Sequence, residues 1–297
     1  MLDGRQNPIS SISPLGFYNP LAGGGSLLTI IPVTYPMGQG EPVNVVISKN
    51  SDPRVLVDQE NSGGLRTYFL SLGFSGECLG QHDGSHQGVD LGGGNGPKNE
   101  VAVLRWNYGD AELGTCKETV EGGNHFRYWI QNGQQGNSGA VFMAVSYEKS
   151  LSDQHDVLLN GYNLGRDWMI GNITHSSIPS HNLTNGTTYS GTTTSSSYTY
   201  NTEVLYLSGI LPNTSYGINH NVTVVDNGIN ASDGLLAVLN VTITGEPGHL
   251  NVKSCVTLQK HNLLLMNIFI RLGVKLALPF DVLSMLAFVW ISALLAL

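Results

Sequence analysis

The side chains most able to do chemistry lie between residues 82 and 167. His125-Phe126-Arg127-Tyr128-Trp129 alternates polar and aromatic residues. In a strand alternate side chains share a face, so His125, Arg127 and Trp129 point one way and Phe126, Tyr128 and Ile130 the other. On a second strand-like segment Arg105 shares a face with Val103 and Asn107. Arginines beside a histidine and an aromatic suit an anionic or sugar-like ligand, because the guanidinium fork matches carboxylate or phosphate. His155 before Asp156, and Arg166 before Asp167, complete the candidate binding set of His125, Arg127, His155, Arg166 and Asp167. The competing reading is structural. Arg127 or Arg166 paired with Asp167 closes one end of the core, since a charge is seldom buried without a partner.

A second group is His82-Asp83-Gly84-Ser85-His86 with Asp90. The H-x-x-x-H spacing of His82 and His86 binds zinc when a helix brings both rings to one face. Gly84, Gly88 and Gly92 disfavour a helix, so a loop would have to fold the rings together with His125 or His155; solvated loop histidines are the alternative. Leu91-Gly92-Gly93-Gly94-Asn95-Gly96 lacks the Gly-Lys-Ser/Thr ending of a phosphate loop, and Pro97 follows instead of a helix. No Gly-x-Ser-x-Gly elbow supports Ser85 or Ser138 as a nucleophile. No cofactor is expected.

The elements that must position these residues follow from patterning. Residues 42–48 are rich in β-branched side chains and read as a strand. Asn61 or Ser62 caps a helix with Leu65, Tyr68, Phe69 and Leu72 on one face, and Gly73 stops it. Residues 80–98 read as a loop and 101–108 as a strand. Residues 125–131 and 140–147 form a hairpin whose second strand, apolar throughout 140–145, is buried on both faces. Residues 164–170 read as a short helix with Leu164 and Trp168 inward. The Ser/Thr-rich stretch 175–201 reads as a long surface loop. Residues 203–211, 221–225 and 235–243 are further strands that finish the same sheet. The fold class is therefore α+β, with a mixed or antiparallel sheet, a few short helices and many loops. An extended lead-in at 1–40 precedes a single domain at 41–246, and an apolar C-terminal tail at 247–297 follows.

The order of these residues is similar to the LssY C-terminal-like domain, known mainly from bacterial membrane-associated proteins. His125-Phe126-Arg127-Tyr128-Trp129 matches its His-x-Arg-x-Trp, the apolar strand at 140–145 follows, then His155-Asp156, then Arg166-Asp167 in a helix. Residues 41–172 also resemble a group of uncharacterised secreted fungal proteins. Gly123-Asn124 precede His125 where the bacterial pattern is basic, and Gly165 replaces an acidic residue before Arg166. The resemblance covers under half the chain and implies a fold and an order of residues, not a reaction.

The rest of the chain speaks to compartment. Asn172, Asn182, Asn185, Asn213, Asn221, Asn230 and Asn240 each open an Asn-x-Ser/Thr sequon. They are seven of the ten asparagines between residues 172 and 242, and none of the sixteen outside that stretch opens a sequon. This split points to the secretory pathway and to exposed acceptors. Of Cys78, Cys116 and Cys255, the first two are the natural disulfide in an oxidising compartment, and closing that loop would stabilise by about 3–4 kcal/mol. Cys255 is the odd thiol. The 297-residue chain is 41% hydrophobic, 12% charged and carries a net charge of −8. Without a basic stripe it is not expected to bind nucleic acid.

From Val282 to Leu297 no residue is charged, a length of about 24 Å as helix. The run fits a glycosylphosphatidylinositol attachment signal or a retained membrane helix, and its abrupt end favours the lipid anchor. The first residues, Met1-Leu2-Asp3-Gly4-Arg5, lack an apolar core behind them, so a secretory reading expects an upstream signal segment. The function expected is a secreted, glycosylated surface protein with a binding or structural role. It is held at a membrane by its tail, with a carbohydrate or anionic ligand. A metal-dependent hydrolase and a cytosolic tail-anchored protein are the alternatives.

Overall fold

The computed structural model describes residues 12–80, 86–226 and 228–248. The chain divides into a unit ending at Pro247 and a second unit, Gly248–Leu297. The expected membrane-directing tail and Cys255 lie outside the described residues, as does His82. Among the described residues no helix is long and apolar enough to cross a membrane.

In chain order the elements are β1 (Val45–Ile47), α1 (Leu65–Ser71), β2 (Phe74–Gly76), β3 (Gly88–Val89), β4 (Lys98–Asn99), β5 (Ala102–Trp106), α2 (Gly114–Glu121), β6 (Gly123–Asn132) and β7 (Asn137–Glu148). Then come α3 (Gly161–Thr174), β8 (Thr188–Ser195), β9 (Tyr198–Leu207), β10 (Asn213–Thr214), β11 (Ser232–Asp233) and β12 (Leu236–Gly245). Eight strands form one sheet in the order β2-β5-β6-β7-β1-β12-β9-β8. The sheet is mixed: β1 runs parallel to β12 and antiparallel to β7, and the remaining neighbours are antiparallel. The α+β class expected from patterning is what the protein adopts, and of the mixed or antiparallel sheet expected it adopts the mixed.

The sheet is buried on both faces because its central strands are apolar on both. On one face Phe126, Tyr128, Val141, Met143 and Val145 pack against Leu65 and Phe69 of α1 and Met169, Ile170 and Ile173 of α3. On the other, Trp129, Phe142, Ala144 and Val46 pack against Phe17 and Leu27. Phe17 meets Phe142 edge-on, with ring centroids 5.7 Å apart. Within the segment expected as an extended lead-in, Phe17 and Leu27 are core residues and form the apolar cover for one sheet face, while Val33, Tyr35 and Met37 are exposed.

Several expectations are corrected. Residues 188–195 and 198–201, expected within a long loop, are strand: they form β8 and the start of β9 in a hairpin whose remainder, 203–207, falls in an expected strand. Tyr200, Thr202, Val204 and Tyr206 alternate with more exposed neighbours, and β-favouring Tyr and Thr suffice for an edge hairpin. Residues 221–225 make turns instead of a strand, since Val224 joins Ile218 and Tyr162 in a small separate cluster. The helix at 164–170 runs from Gly161 to Thr174. Its deep stripe is Gly165, Arg166, Met169, Ile170 and Ile173, while Leu164 and Trp168 are half-buried. The 80–98 stretch contains β3, and α2 carries no apolar stripe, its buried residues being Gly114, Thr115 and Glu118.

Candidate functional site

Strand alternation places the candidate residues on two different faces. Register pairs Arg105 with His125 and His125 with Ser146. Arg105, His125, Ser146 and Glu148 therefore share the face opposite Phe126 and Val145. Their end of that face is covered by α2, which brings Glu118, and by the segment after β2, which brings Glu77. Cys78 and Cys116 are disulfide-bonded with Cα atoms 4.5 Å apart, fixing both segments over the cluster.

Arg105 is the hub. Its Nη1 donates to Glu118 Oε2 at 2.9 Å and lies 3.4 Å from Glu148 Oε2, while its Nε is 3.4 Å from Glu77 Oε1. His125 Nε2 is 3.5 Å from Glu148 Oε1 and 3.4 Å from Ser146 Oγ. His155, carried by the loop after β7, sets Nδ1 3.6 Å from Glu148 Oε2. Glu118 is fully buried and His125 is 2% exposed. Burial pushes Glu148 up to about 8 against the opposing pull of Arg105. It raises Glu118 as well, again against Arg105. Burial holds His125 well below its ordinary value, reinforced by the charges of Arg105, Arg127 and His155. Burial thus favours the neutral imidazole of His125 and the protonated carboxyls of Glu148 and Glu118.

Arg127 lies on the same face, one pair further along. Its Nη1 donates to Glu100 Oε1 at 2.9 Å, and Glu100 also accepts from the Gln87 backbone N–H at 2.7 Å. His86 Nδ1 is 3.3 Å from the same Glu100 oxygen, with a side chain 62% exposed. His86 and His125 thus face different carboxylates.

Arg166 and Asp167 sit beneath α3 on the opposite face. Arg166 has no exposure and forks onto Asp167 at 2.7 and 3.0 Å and onto Asp233 at 2.8 Å twice. Tyr206 donates to Asp167 at 2.8 Å. The structural alternative for Arg166–Asp167 is therefore realised, and the five candidate residues do not line one pocket. Gly165 has a local reason: a Cβ there would come within 2.6 Å of the Ser146 backbone. The acidic residue of the LssY-like pattern has no room at that position.

An open concave surface lies elsewhere. A groove of about 1280 Å³ is lined by Trp106, Tyr108, Tyr147, Trp168, Asn172 and His175. Trp106 and Trp168 meet edge-on at 4.6 Å, and Tyr147 meets Trp168 edge-on at 6.2 Å. Gly73 has φ +85°, and a Cβ there would overlap the Trp106 ring at 2.1 Å. Trp106 and Tyr147 neighbour Arg105 and Glu148 in sequence, so groove and ionic cluster lie back to back across the sheet.

Among the sequons, Asn182, Asn185 and Asn213 are exposed, while Asn172, Asn221, Asn230 and Asn240 are half-buried. Uniform exposure is corrected because folding engages these side chains. Asn172 Nδ2 donates to the Leu72 carbonyl at 3.1 Å, Asn230 Nδ2 to Asn213 Oδ1 at 2.8 Å, and Asn240 sits within β12.

Compared with family models, curated proteins and solved structures, the chain matches none. The aromatic groove and the Glu118–His125–Glu148 group were not legible in the sequence. The groove's aromatics come from three separate elements and a turn, and the two glutamates had no motif spacing.

Proposed function

We propose that this is a secreted, N-glycosylated binding protein, held at a membrane by its C-terminal apolar run, whose ligand is a neutral carbohydrate. One observation carries the ligand assignment. The open groove combines four aromatic rings with amide, imidazole and hydroxyl groups, and its single acidic residue, Asp167, is consumed by Arg166 and Tyr206. Aromatic bodies with polar tips suit a ligand that is apolar on its ring faces and wet at its edges. An anionic ligand is less well served, because Arg105, Arg127 and Arg166 are each paired with carboxylates.

The secretory part of the reading rests on the sequon cluster and on the Cys78–Cys116 bridge. The LssY-like likeness is kept as part of the proposal, supported by a His-x-Arg-x-Trp strand paired to an apolar strand and by Arg-Asp within a helix.

The test is a glycan array probed with the full glycoprotein, followed by calorimetry on the best oligosaccharide. Binding to an uncharged sugar that falls at least about tenfold in Trp168→Ala supports the proposal. Binding that survives that substitution, or selects only charged glycans, overturns it. Glycosidase treatment of protein made in eukaryotic cells must also lower its mass; an unchanged mass removes the secretory reading.

A further inference from the structure

We propose that Glu118, His125 and Glu148 form a buried site for one first-row divalent cation. The donor atoms of these three side chains lie within 4.8 Å of one another. Donors on one ion with bonds of about 2.0–2.2 Å sit roughly 3.3–4 Å apart, so closure requires only about 1 Å of side-chain adjustment.

The pairing of oxygens leaves room for both Arg105 and an ion. Glu118 and Glu148 each direct Oε2 at Arg105 Nη1. Glu148 Oε1 faces His125 Nε2, and Glu118 Oε1 makes no hydrogen bond although it is buried. A fully buried carboxylate oxygen without a donor is costly. Glu77, Glu118 and Glu148 surround the one guanidinium of Arg105. The site therefore supplies an unpartnered buried donor beside two further side chains of ligating type.

Donor chemistry selects the ion. One imidazole with two carboxylates suits zinc or manganese. Calcium takes six to eight oxygens, which this group does not offer. The ion would tie α2 to β6 and β7, and it would be approached past Glu148 and His155, the more exposed members of the cluster. The inference is independent of the sugar-binding groove, which lies on the other side of the sheet.

Full-length protein, stripped with a chelator, is titrated with Zn²⁺ by calorimetry and thermal unfolding. One ion per chain and a raised Tm are expected. Loss of an outer-shell partner weakens metal sites about 10–100-fold, so Glu118→Gln or His125→Asn should weaken binding at least about 100-fold, while His86→Gln leaves it unchanged. Zinc absorption spectroscopy of the wild-type protein needs no variant to fold, and it should report one imidazole and oxygen ligands without sulfur. No binding, binding unaffected by Glu118→Gln, loss with His86→Gln, or a shell of two or more imidazoles each overturn the site.

Discussion

Arg166 and Asp233 are joined by two parallel hydrogen bonds, each 2.8 Å, between α3 and β11. Arg166 has no exposed surface, so its charge depends wholly on this pair, on Asp167 and on the Leu235 carbonyl at 2.7 Å. Removing Asp233 leaves Arg166 paired with Asp167 but takes an acceptor from both Nη1 and Nη2. Asp233→Ala is expected to lower unfolding stability by about 1–3 kcal/mol in urea denaturation. A loss below about 1 kcal/mol would show that the fork contributes little.

The disulfide and the ionic cluster are mechanically linked, because Glu77 adjoins Cys78 and Glu118 lies two residues beyond Cys116. Replacing both cysteines by serine opens a loop of 38 residues, with an expected loss of about 3–4 kcal/mol. Hydrogen exchange should quicken specifically across residues 114–121, which lose their tether. Uniform acceleration over the whole sheet would contradict a local role.

Burial sets two opposed pH dependences in metal-free protein. His125, held low, stays neutral in the fold while the unfolded side chain takes up a proton, so stability rises with pH up to about 6.5. Glu148, pushed up to about 8, holds a proton in the fold that the unfolded chain has lost above about 4.5, so stability falls with pH through about 8. Glu118 acts in the same direction as Glu148. Between about pH 6.5 and 8 the glutamate effect stands alone, and Tm should decline. Glu148→Gln should flatten that decline in a calorimetric pH series; an equally steep decline in the variant would assign it to other groups.

Glycopeptide mass spectrometry should find Asn182, Asn185 and Asn213 the most fully occupied, since the fold leaves them exposed. Asn172, bonded to Leu72 within the aromatic groove, should be the emptiest. Full occupancy of Asn172 would place a glycan in the groove and conflict with binding there.

Patterning was sufficient where side chains declare a period. Phe126, Tyr128 and Val145 against His125 and Arg127 identified the central hairpin and its two faces, and Leu65, Tyr68 and Phe69 identified α1. It failed where burial is polar. The inward residues of α2 are Gly114, Thr115 and Glu118, which present no apolar stripe. β8 and the first half of β9 are built mainly of Thr, Ser and Tyr and read compositionally as loop. Arg105 and His125 were legible as chemistry-bearing residues. Their partners Glu77, Glu118 and Glu148 come together only through tertiary structure, over separations that local spacing does not encode.

The shortness and position of β1 bear on how the protein is made. Its three residues, near the start of the chain, sit at the middle of the sheet and lean on β12, with Val45 opposite Ala237. The chain must therefore be synthesised almost to the end of its first unit before the sheet can close, and pairing over so long a separation is slow. During that interval the polypeptide is an open thread, and Asn240, later trapped in the β12 ladder, is as reachable as any loop. If the chain is glycosylated as proposed, the late arrival of β12 would make the modification of Asn240 a race between an enzyme and the zipping of the last central strand.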